Sequence, residues 1–252
     1  MSEVGFGQIG QGFEERLPLL ILLDTSSSMG VPAAEPPIKA LNDGLRAWID
    51  DMRSDPSLAS SVEVAVMTFG GTPIVLDPRG GTVTPASAAE AFANVSELRV
   101  HPLIAQGVTP MVPAVERALA LVEERKRLLD EQRIPRRRPV IWLLTDGSPT
   151  DDEGNLGADL DPLAQQLRAA EDDNRCLFFA VGVGAADEAA LRRLAPTSTF
   201  MLQSTAYRDI LRFASRSSDQ SGRAQTAQEA YQAVAEEAEW LNELAEIERG
   251  NA

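Results

Sequence analysis

The stretch Leu17–Ser28 reads LPLLILLDTSSS and decides the fold of the chain. Its first part, Leu17–Leu23, is apolar throughout, which is typical of a strand that a parallel sheet buries on both faces. Asp24 follows directly, and Ser26 and Ser28 come after it at alternating positions. Because ligands of parallel sheets bind in the crevice outside the carboxyl ends of the strands, these side chains predict a binding site at the end of the first strand.

The residues of this site supply only oxygen donors. A tight loop can turn the carboxylate of Asp24 and the hydroxyls of Ser26 and Ser28 toward one point. Such a ligand set suits Mg²⁺ or Mn²⁺ and suits zinc poorly, because zinc favours nitrogen and sulfur. We therefore expect a magnesium-like divalent cation.

Two further segments place oxygen-bearing side chains in a loop, one directly after an apolar run and the other directly before a helix. The apolar run Val140–Leu144 leads into Thr145–Gly147, and Gly107–Met111 leads into a helix-periodic stretch. They offer a second carboxylate, Asp146, and a third hydroxyl, Thr109.

Taken in chain order, these three motifs resemble the metal-ion-dependent adhesion site (MIDAS) of von Willebrand factor type A domains. The resemblance covers residues 17–213 and rests on the conjunction of the motifs, because each motif alone is common. A single Asp or Ser at a strand end more often caps a helix or forms a turn.

The resemblance implies a role for each matching residue. It implies that the site is not catalytic and leaves one coordination position open for an Asp or Glu carboxylate of a protein partner. Ser26 and Ser28 resemble direct ligands, and Thr109 resembles the ligand that engages when a partner is bound. Asp24 and Asp146 resemble carboxylates that act partly through water.

Short apolar runs alternate with helix-periodic segments, which predicts an α/β fold. We expect a Rossmann-like, doubly wound and mostly parallel sheet with one antiparallel edge strand, helices on both faces and an acidic C-terminal helix. The predicted strands are Leu17–Leu23, Val62–Phe69, Pro73–Leu76 (the edge), Val140–Thr145, Leu177–Val183 and Thr199–Leu202. The predicted helices between them are Ile38–Arg53, Pro110–Leu129, Pro162–Asp172, Glu188–Leu194 and Tyr207–Ser215.

The chain divides into four predicted parts: a lead-in (1–16), a type A domain (17–214), a serine-rich linker (215–222) and an acidic amphipathic helix (223–250). Apolar residues recur along this last helix at helical spacing. They are Tyr231, Val234, Ala238, Trp240, Leu241, Leu244, Ala245 and Ile247. Such an apolar face must be buried against another surface. Three surfaces are possible: a partner protein, a second copy of the chain, or the domain itself.

Composition limits the function classes. The formal net charge of −15 argues against a general nucleic-acid binder, and we read Arg136–Arg138 as a solvated loop. Cys176 is the only cysteine, so no intramolecular disulfide forms. Residues 1–16 lack the order of a signal peptide, and Leu17–Leu23 is too short to cross a bilayer. We therefore expect a cytoplasmic protein without a membrane anchor.

We expect no enzymatic activity. An aspartate-nucleophile phosphotransferase would need a second carboxylate where Ser26 stands. A serine hydrolase would need a histidine base, and the sole histidine, His101, precedes a proline in a loop. The alternatives are a metal-dependent phosphatase or nucleotide hydrolase that uses the same oxygens, and an assembly subunit. No Walker motif occurs, so an ATPase working with such a subunit would be a separate chain.

Within the type A family, the local sequence resembles bacterial TerY-type proteins associated with tellurite resistance and stress response. The matching text is Arg16–Pro18, Pro37–Leu45 and Thr145–Asp152. This resemblance implies a signalling scaffold whose partner is a PP2C-type phosphatase or a protein kinase encoded nearby. Asp151 and Asp152 are open to two readings, as turn or cap residues or as ligands of a second cation.

Overall fold

The computed structural model describes residues 15–151, 153–202 and 207–250, without the side chains of residues 237 and 240–250. One sheet of seven strands forms the centre of this part of the chain. The strands are β1 (Leu17–Asp24), β2 (Val62–Phe69), β3 (Ile74–Val75), β4 (Ala93–Asn94), β5 (Val140–Thr145), β6 (Leu177–Val183) and β7 (Thr199–Leu202). The helices are α1 (Pro37–Ser54), α2 (Pro56–Ser61), α3 (Ala88–Ala91), α4 (Met111–Glu131), α5 (Asp161–Asp172), α6 (Glu188–Leu194), α7 (Tyr207–Ser221) and α8 (Ala227–Gly250).

The strand order is β3-β2-β1-β5-β6-β7, and β4 also pairs with β2. Strands β1, β2, β5, β6 and β7 are parallel, whereas β3 and β4 run antiparallel to β2. The predicted α/β class with a mostly parallel sheet is confirmed. The two-residue strand β4 was not predicted, because so short a strand leaves no periodic signal in the sequence.

Helices cover both faces of the sheet. The residues of β1 alternate between two cores, with Leu19 and Ile21 on one face and Leu20 and Leu22 on the other. Helices α1, α7 and α8 pack on the first face, and α3, α4, α5 and α6 pack on the second. No helix in the described ranges combines the length and the apolarity needed to span a bilayer.

This arrangement opens a crevice at the carboxyl ends of β1 and β5. These two strands are neighbours at the centre of the sheet. Helix α1 leaves β1 over one face, whereas α5 leaves β5 over the other. The chain therefore leaves these two neighbouring strands toward opposite faces of the sheet, and such a switch in winding direction is where doubly wound sheets bind their ligands.

The segment expected to be a linker, residues 215–222, is helical as far as Ser221, because α7 continues through it. The hydroxyls of three of its serines donate to carbonyls one turn earlier in the helix, and Ser218 Oγ donates to the carbonyl of Ala214 at 2.6 Å. The indole Nε1 of Trp142 donates to the same hydroxyl at 2.8 Å. The serines are small and hydrogen-bonded, so α7 lies close against the sheet, and the expected hinge is wrong for these residues.

The prediction that Arg136–Arg138 is a solvated loop is also wrong for its central residue, Arg137. Arg137 is buried, and its guanidinium forms ion pairs with Asp219 of α7 and with Glu15. Arg136 forms an ion pair with Asp130 at 2.8 Å. The run therefore fixes α7 and the end of α4 to the start of β5.

The first half of α8 packs on its own domain. Four of its residues on one face are buried: Ala230, Tyr231, Val234 and Ala238. The Tyr231 ring meets the ring of Phe179 edge-on, with centroids 5.2 Å apart, and its hydroxyl donates to Glu171 Oε1. The predicted stripe is thus covered by the domain over this half. Its continuation at Trp240, Leu241, Leu244, Ala245 and Ile247 lies outside the described side chains.

The burial of the Glu171 carboxyl predicts a pH-dependent stability, although the hydrogen bond from Tyr231 opposes the shift of its pKa. Burial raises the pKa of the Glu171 carboxyl above its ordinary value, so the folded protein binds this proton more tightly than the unfolded chain does. The stabilisation is complete below the unfolded pKa and is lost as the pH rises through the folded pKa. We therefore expect wild type to lose melting temperature relative to Glu171→Gln as the pH rises above about 4, the ordinary pKa of a glutamate. A difference that stays constant with pH would show that Glu171 does not titrate in this way.

Candidate metal centre

Asp24 forms the floor of the crevice. It ends β1 opposite the neighbouring strand β5 and is 1% exposed. Its Oδ1 accepts the backbone N–H of Ser26 at 2.8 Å, and its Oδ2 accepts the hydroxyl of Thr145 at 2.5 Å. These bonds hold the carboxylate in one orientation at the end of the strand.

The loop after β1 brings both predicted serines to the same point. The hydroxyls of Ser26 and Ser28 lie 3.0 Å apart, and Ser28 Oγ donates to Asp146 Oδ1 at 2.8 Å. Ser28 belongs to a short 3₁₀ helix, Ser27–Gly30, which begins directly after Ser26. The two loops from β1 and β5 therefore meet through the side chains that the sequence selected.

Thr109 arrives on a third loop. Gly107 has a φ of +72°, a conformation that glycine adopts readily and other residues rarely do. Its carbonyl accepts the backbone N–H of Ser27 at 3.0 Å, which joins this loop to the β1 loop. The hydroxyl of Thr150 accepts the backbone N–H of Thr109 at 3.0 Å. These bonds place Thr109, which is buried, at the start of α4.

A position beside Gly147 shows how closely the three loops converge. A Cβ atom at that residue would lie 3.7 Å from Thr109 Oγ1, 3.8 Å from Asp24 Oδ2 and 3.9 Å from Ser28 Oγ. The structure therefore brings together all five predicted ligands, two carboxylates and three hydroxyls. A side chain at residue 147 would lie against them.

The electrostatics of this group favour a cation. Burial raises the pKa of the Asp24 carboxyl to about 6, hydrogen bonds from Ser26 and Thr145 oppose this shift, and the charge of Asp146 adds to it. An uncompensated carboxylate in a poorly solvated place is costly, and a divalent cation supplies the missing charge. The hard oxygen donors fit Mg²⁺ or Mn²⁺.

One side of the site is buried, and the other side is open to solvent. Asp24, Ser26 and Thr109 are buried, whereas Ser28 is exposed and Asp146 is half-buried. A ligand from solvent can therefore reach a cation held here only from the side of Ser28 and Asp146.

Sequence reasoning missed two residues that orient the site. The sequence motif that contains Thr145 predicts no role for this residue. In the structure, its hydroxyl donates a hydrogen bond to Asp24 and accepts the backbone N–H of Gly147 at 3.2 Å. Thr150 positions the backbone of Thr109. Thr145 could have been found from the pairing of β1 with β5, because Leu23 lies opposite Leu144 and the next residues are then neighbours.

Other candidate residues have structural roles. Asp151 Oδ1 accepts the backbone N–H groups of Glu153 and Asn155 at 2.9 and 2.8 Å, so its carboxylate closes its own turn; Asp152 lies outside the described residues. The Nε2 atom of His101 lies 2.6 Å from the carbonyl of Gly80. No group of three or more His, Cys, Asp or Glu side chains suited to a metal occurs in the described parts of the chain.

Solved structures with a similar fold come from several sources. The chain is similar to a von Willebrand factor type A protein from Catenulispora acidiphila, with 22% identity and a TM-score of 0.53 over 81% of this chain and 43% of that one. It is also similar to the pilus adhesin SpaC from Lactobacillus rhamnosus GG, with 15% identity and a TM-score of 0.52 over 82% and 31% of the two chains. The PilB minor pilin from Streptococcus sanguinis gives 14% identity and a TM-score of 0.52 over 89% and 64%.

These identities are low, so the likeness shows the fold alone. The chain spans less than two thirds of the length of each of these three proteins. No curated protein sequence matches it significantly. The sequence profile of the von Willebrand factor type A domain, however, matches residues 19–216, which is most of the chain. The chain therefore belongs to the von Willebrand factor type A domain family.

Proposed function

We propose that this chain is a non-catalytic module that binds a protein partner through a divalent cation. Asp24, Ser26, Ser28, Thr109 and Asp146 would hold Mg²⁺, or Mn²⁺, in a metal-ion-dependent adhesion site. The partner would supply an Asp or Glu carboxylate from the open side. The observation that carries the proposal is the convergence of these five oxygen-bearing side chains from three loops.

The family supports this direction. Von Willebrand factor type A domains commonly mediate protein–protein interactions and often bind a divalent metal ion. Charge also supports it, because Asp24 and Asp146 would repel a third carboxylate in a chain whose formal net charge is −15. A divalent cation between them reverses the local charge and makes the binding of an acidic partner depend on the metal.

The finer setting rests on the local sequence resemblance. We place the module in stress or phosphorylation-linked signalling, with a PP2C-type phosphatase or a protein kinase as the partner, because residues 16–18, 37–45 and 145–152 resemble TerY-type proteins. The cytoplasmic location stays a prediction.

Affinity capture from the native cell tests the proposal. The full chain serves as bait, once in Mg²⁺ and once in a chelator, and a third capture uses the bait with Asp24→Ala and Ser26→Ala. We expect one protein partner to be retained only by wild type in Mg²⁺. A partner held equally in all three captures would overturn the proposed mechanism.

The enzyme alternative makes a different prediction. A phosphatase or nucleotide hydrolase would turn over generic phosphate esters in Mg²⁺ and would lose that activity with Asp24→Ala. We expect no turnover above the background of this variant. Metal-dependent turnover that the variant abolishes would favour the enzyme.

Thr109→Ala should weaken partner capture more than it weakens metal binding. The resemblance assigns this hydroxyl to the partner-bound state, and the hydrogen bonds to the Thr109 backbone would remain in the variant. We expect the capture yield to fall by a larger factor than the Mg²⁺ affinity does. Thr109→Ser keeps the hydroxyl and should restore capture. Equal losses in both assays, or no rescue by serine, would contradict a switching role.

A further inference from the structure

A small apolar pocket lies beside the metal centre. Its volume is about 190 Å³. Its lining includes the apolar side chains of Ile74, Leu76, Leu103 and Ile104. We call it the side pocket.

The side pocket shares a wall with the metal centre. Thr25 lines the pocket and stands between Asp24 and Ser26. Its carbonyl accepts the backbone N–H of Gln106, another lining residue, at 2.8 Å. A group bound at the metal and a group in the pocket would therefore lie on two sides of the same loop.

The part of the wall formed by Leu103 is fixed to helix α1. The side chain of Asn42 donates to the carbonyl of Leu103 at 2.9 Å and accepts the backbone N–H of Leu103 at 2.6 Å. The pocket is thus largely preformed, which lowers the entropic cost of filling it.

Apolar side chains around this pocket are left in water. Ile104 is 74% exposed and Ile74 is 39% exposed. Two of the five large hydrophobic residues that are exposed in the described part of the chain therefore line this one pocket. Contiguous exposed apolar surface is typical of a place where another molecule binds.

The volume decides what kind of group fits. Sites for drug-sized ligands and cofactors usually measure about 300–1,000 Å³, whereas a cavity of about 150 Å³ accommodates benzene. The side pocket has about 190 Å³, which suits one aliphatic or aromatic side chain.

We propose that the side pocket binds an apolar side chain of the same partner segment whose carboxylate reaches the metal. The partner motif is then an Asp or Glu with a Leu, Ile, Met or Phe at a fixed, short distance along the chain. This inference rests on the proposed function, because the acidic residue anchors the segment. The metal would select the Asp or Glu of the partner segment, and the side pocket would select its apolar residue.

A phage-displayed library of ten-residue peptides with one fixed Asp tests the motif. The library is selected on the full chain in Mg²⁺, and bound phage are eluted with chelator. We expect the eluted peptides to share a Leu, Ile, Met or Phe at one offset from the Asp. Eluted peptides with no apolar preference would overturn this inference and leave the proposed function standing. A selection that yields no chelator-released peptide would overturn both.

Variants then locate the apolar contact. A selected peptide should bind Ile104→Asp, and separately Ile74→Asn, roughly tenfold or more weakly than wild type (), with unchanged Mg²⁺ affinity. Leu156→Asp is the matched control, because Leu156 is 76% exposed, pairs with Thr150 near the site and does not line the pocket. Equal weakening by the control, or none by either pocket variant, would overturn the inference. So would a dimer of the wild-type chain that Ile104→Asp dissociates, since a second copy would then fill the pocket.

Discussion

The double variant Asp24→Ala, Ser26→Ala should show no Mg²⁺ binding in a calorimetric titration in which wild type binds. Loss of groups that only orient ligands already costs about 10–100-fold in metal affinity, so removal of two of the five proposed ligands should exceed that range. The fold should survive, because Asp24 is the last residue of β1, Ser26 lies in the loop after it, and neither belongs to the two cores. The loss of Asp24 leaves the Ser26 N–H without its acceptor, which costs about 1–3 kcal/mol.

Ser27→Ala is the matched control for this experiment. Ser27 lies between two proposed ligands, but its hydroxyl donates to the carbonyl of Gly107 at 2.9 Å and belongs to no proposed ligand set. The control should bind Mg²⁺ as wild type does. Wild-type affinity in the double variant would place the cation elsewhere, and if that variant unfolds, Asp24→Asn provides the same test with the shape preserved.

The second large effect concerns α8. Val234→Asp should lower the melting temperature of the full chain by roughly 10 °C, because Val234 is 1% exposed and lies in the core between α8 and the sheet. An unpaired buried charge costs about 3–5 kcal/mol, and each kcal/mol corresponds to about 2–4 °C in a domain of this size. The measurement is thermal unfolding followed by circular dichroism.

Gln232→Asp adds the same charge on the exposed side of the same helix. This control should melt within a few degrees of wild type (about ±0.5 kcal/mol,). If both variants melt as wild type does, α8 does not contribute to the domain, and the packing of Tyr231 and Val234 would not hold in solution.

The strands could be predicted because each long one is a mostly apolar run, interrupted in β2 by Glu63 and Thr68. A sheet covered on both faces requires such runs, and β2, β5, β6 and β7 have the predicted bounds. The elements that were missed are the 3₁₀ helix Ser27–Gly30, α2, α3 and β4, which have 4, 6, 4 and 2 residues. Elements this short depend on local capping, such as the Asp55 carboxylate that accepts the N–H groups of Ser57 and Leu58, and not on periodicity.

The five site residues could be chosen because their side chains and their chain order match a known motif. The structure brings them together, whereas the binding of a metal there stays a prediction. Thr145 and Thr150 act on other site residues through hydrogen bonds across loops. Such contacts depend on which strands are neighbours in the sheet. The order of strands in a sheet cannot be read directly from a single sequence.

The errors at Ser215–Ser221 and Arg137 have a common physical cause. Composition alone treats serine-rich and arginine-rich segments as solvated. Here Trp142 Nε1 donates to Ser218, and Asp219 pairs with Arg137, so tertiary partners satisfy these polar groups inside the fold. Composition cannot reveal a partner that lies far away in the chain.

An anomalous difference map from crystals grown with Mn²⁺ would show whether the five proposed ligands hold a divalent cation. Mn²⁺ takes the same oxygen ligands as Mg²⁺ and can be located by its X-ray absorption. We expect one strong peak among Asp24, Ser26, Ser28, Thr109 and Asp146. A peak elsewhere, or no peak at saturating Mn²⁺, would contradict it.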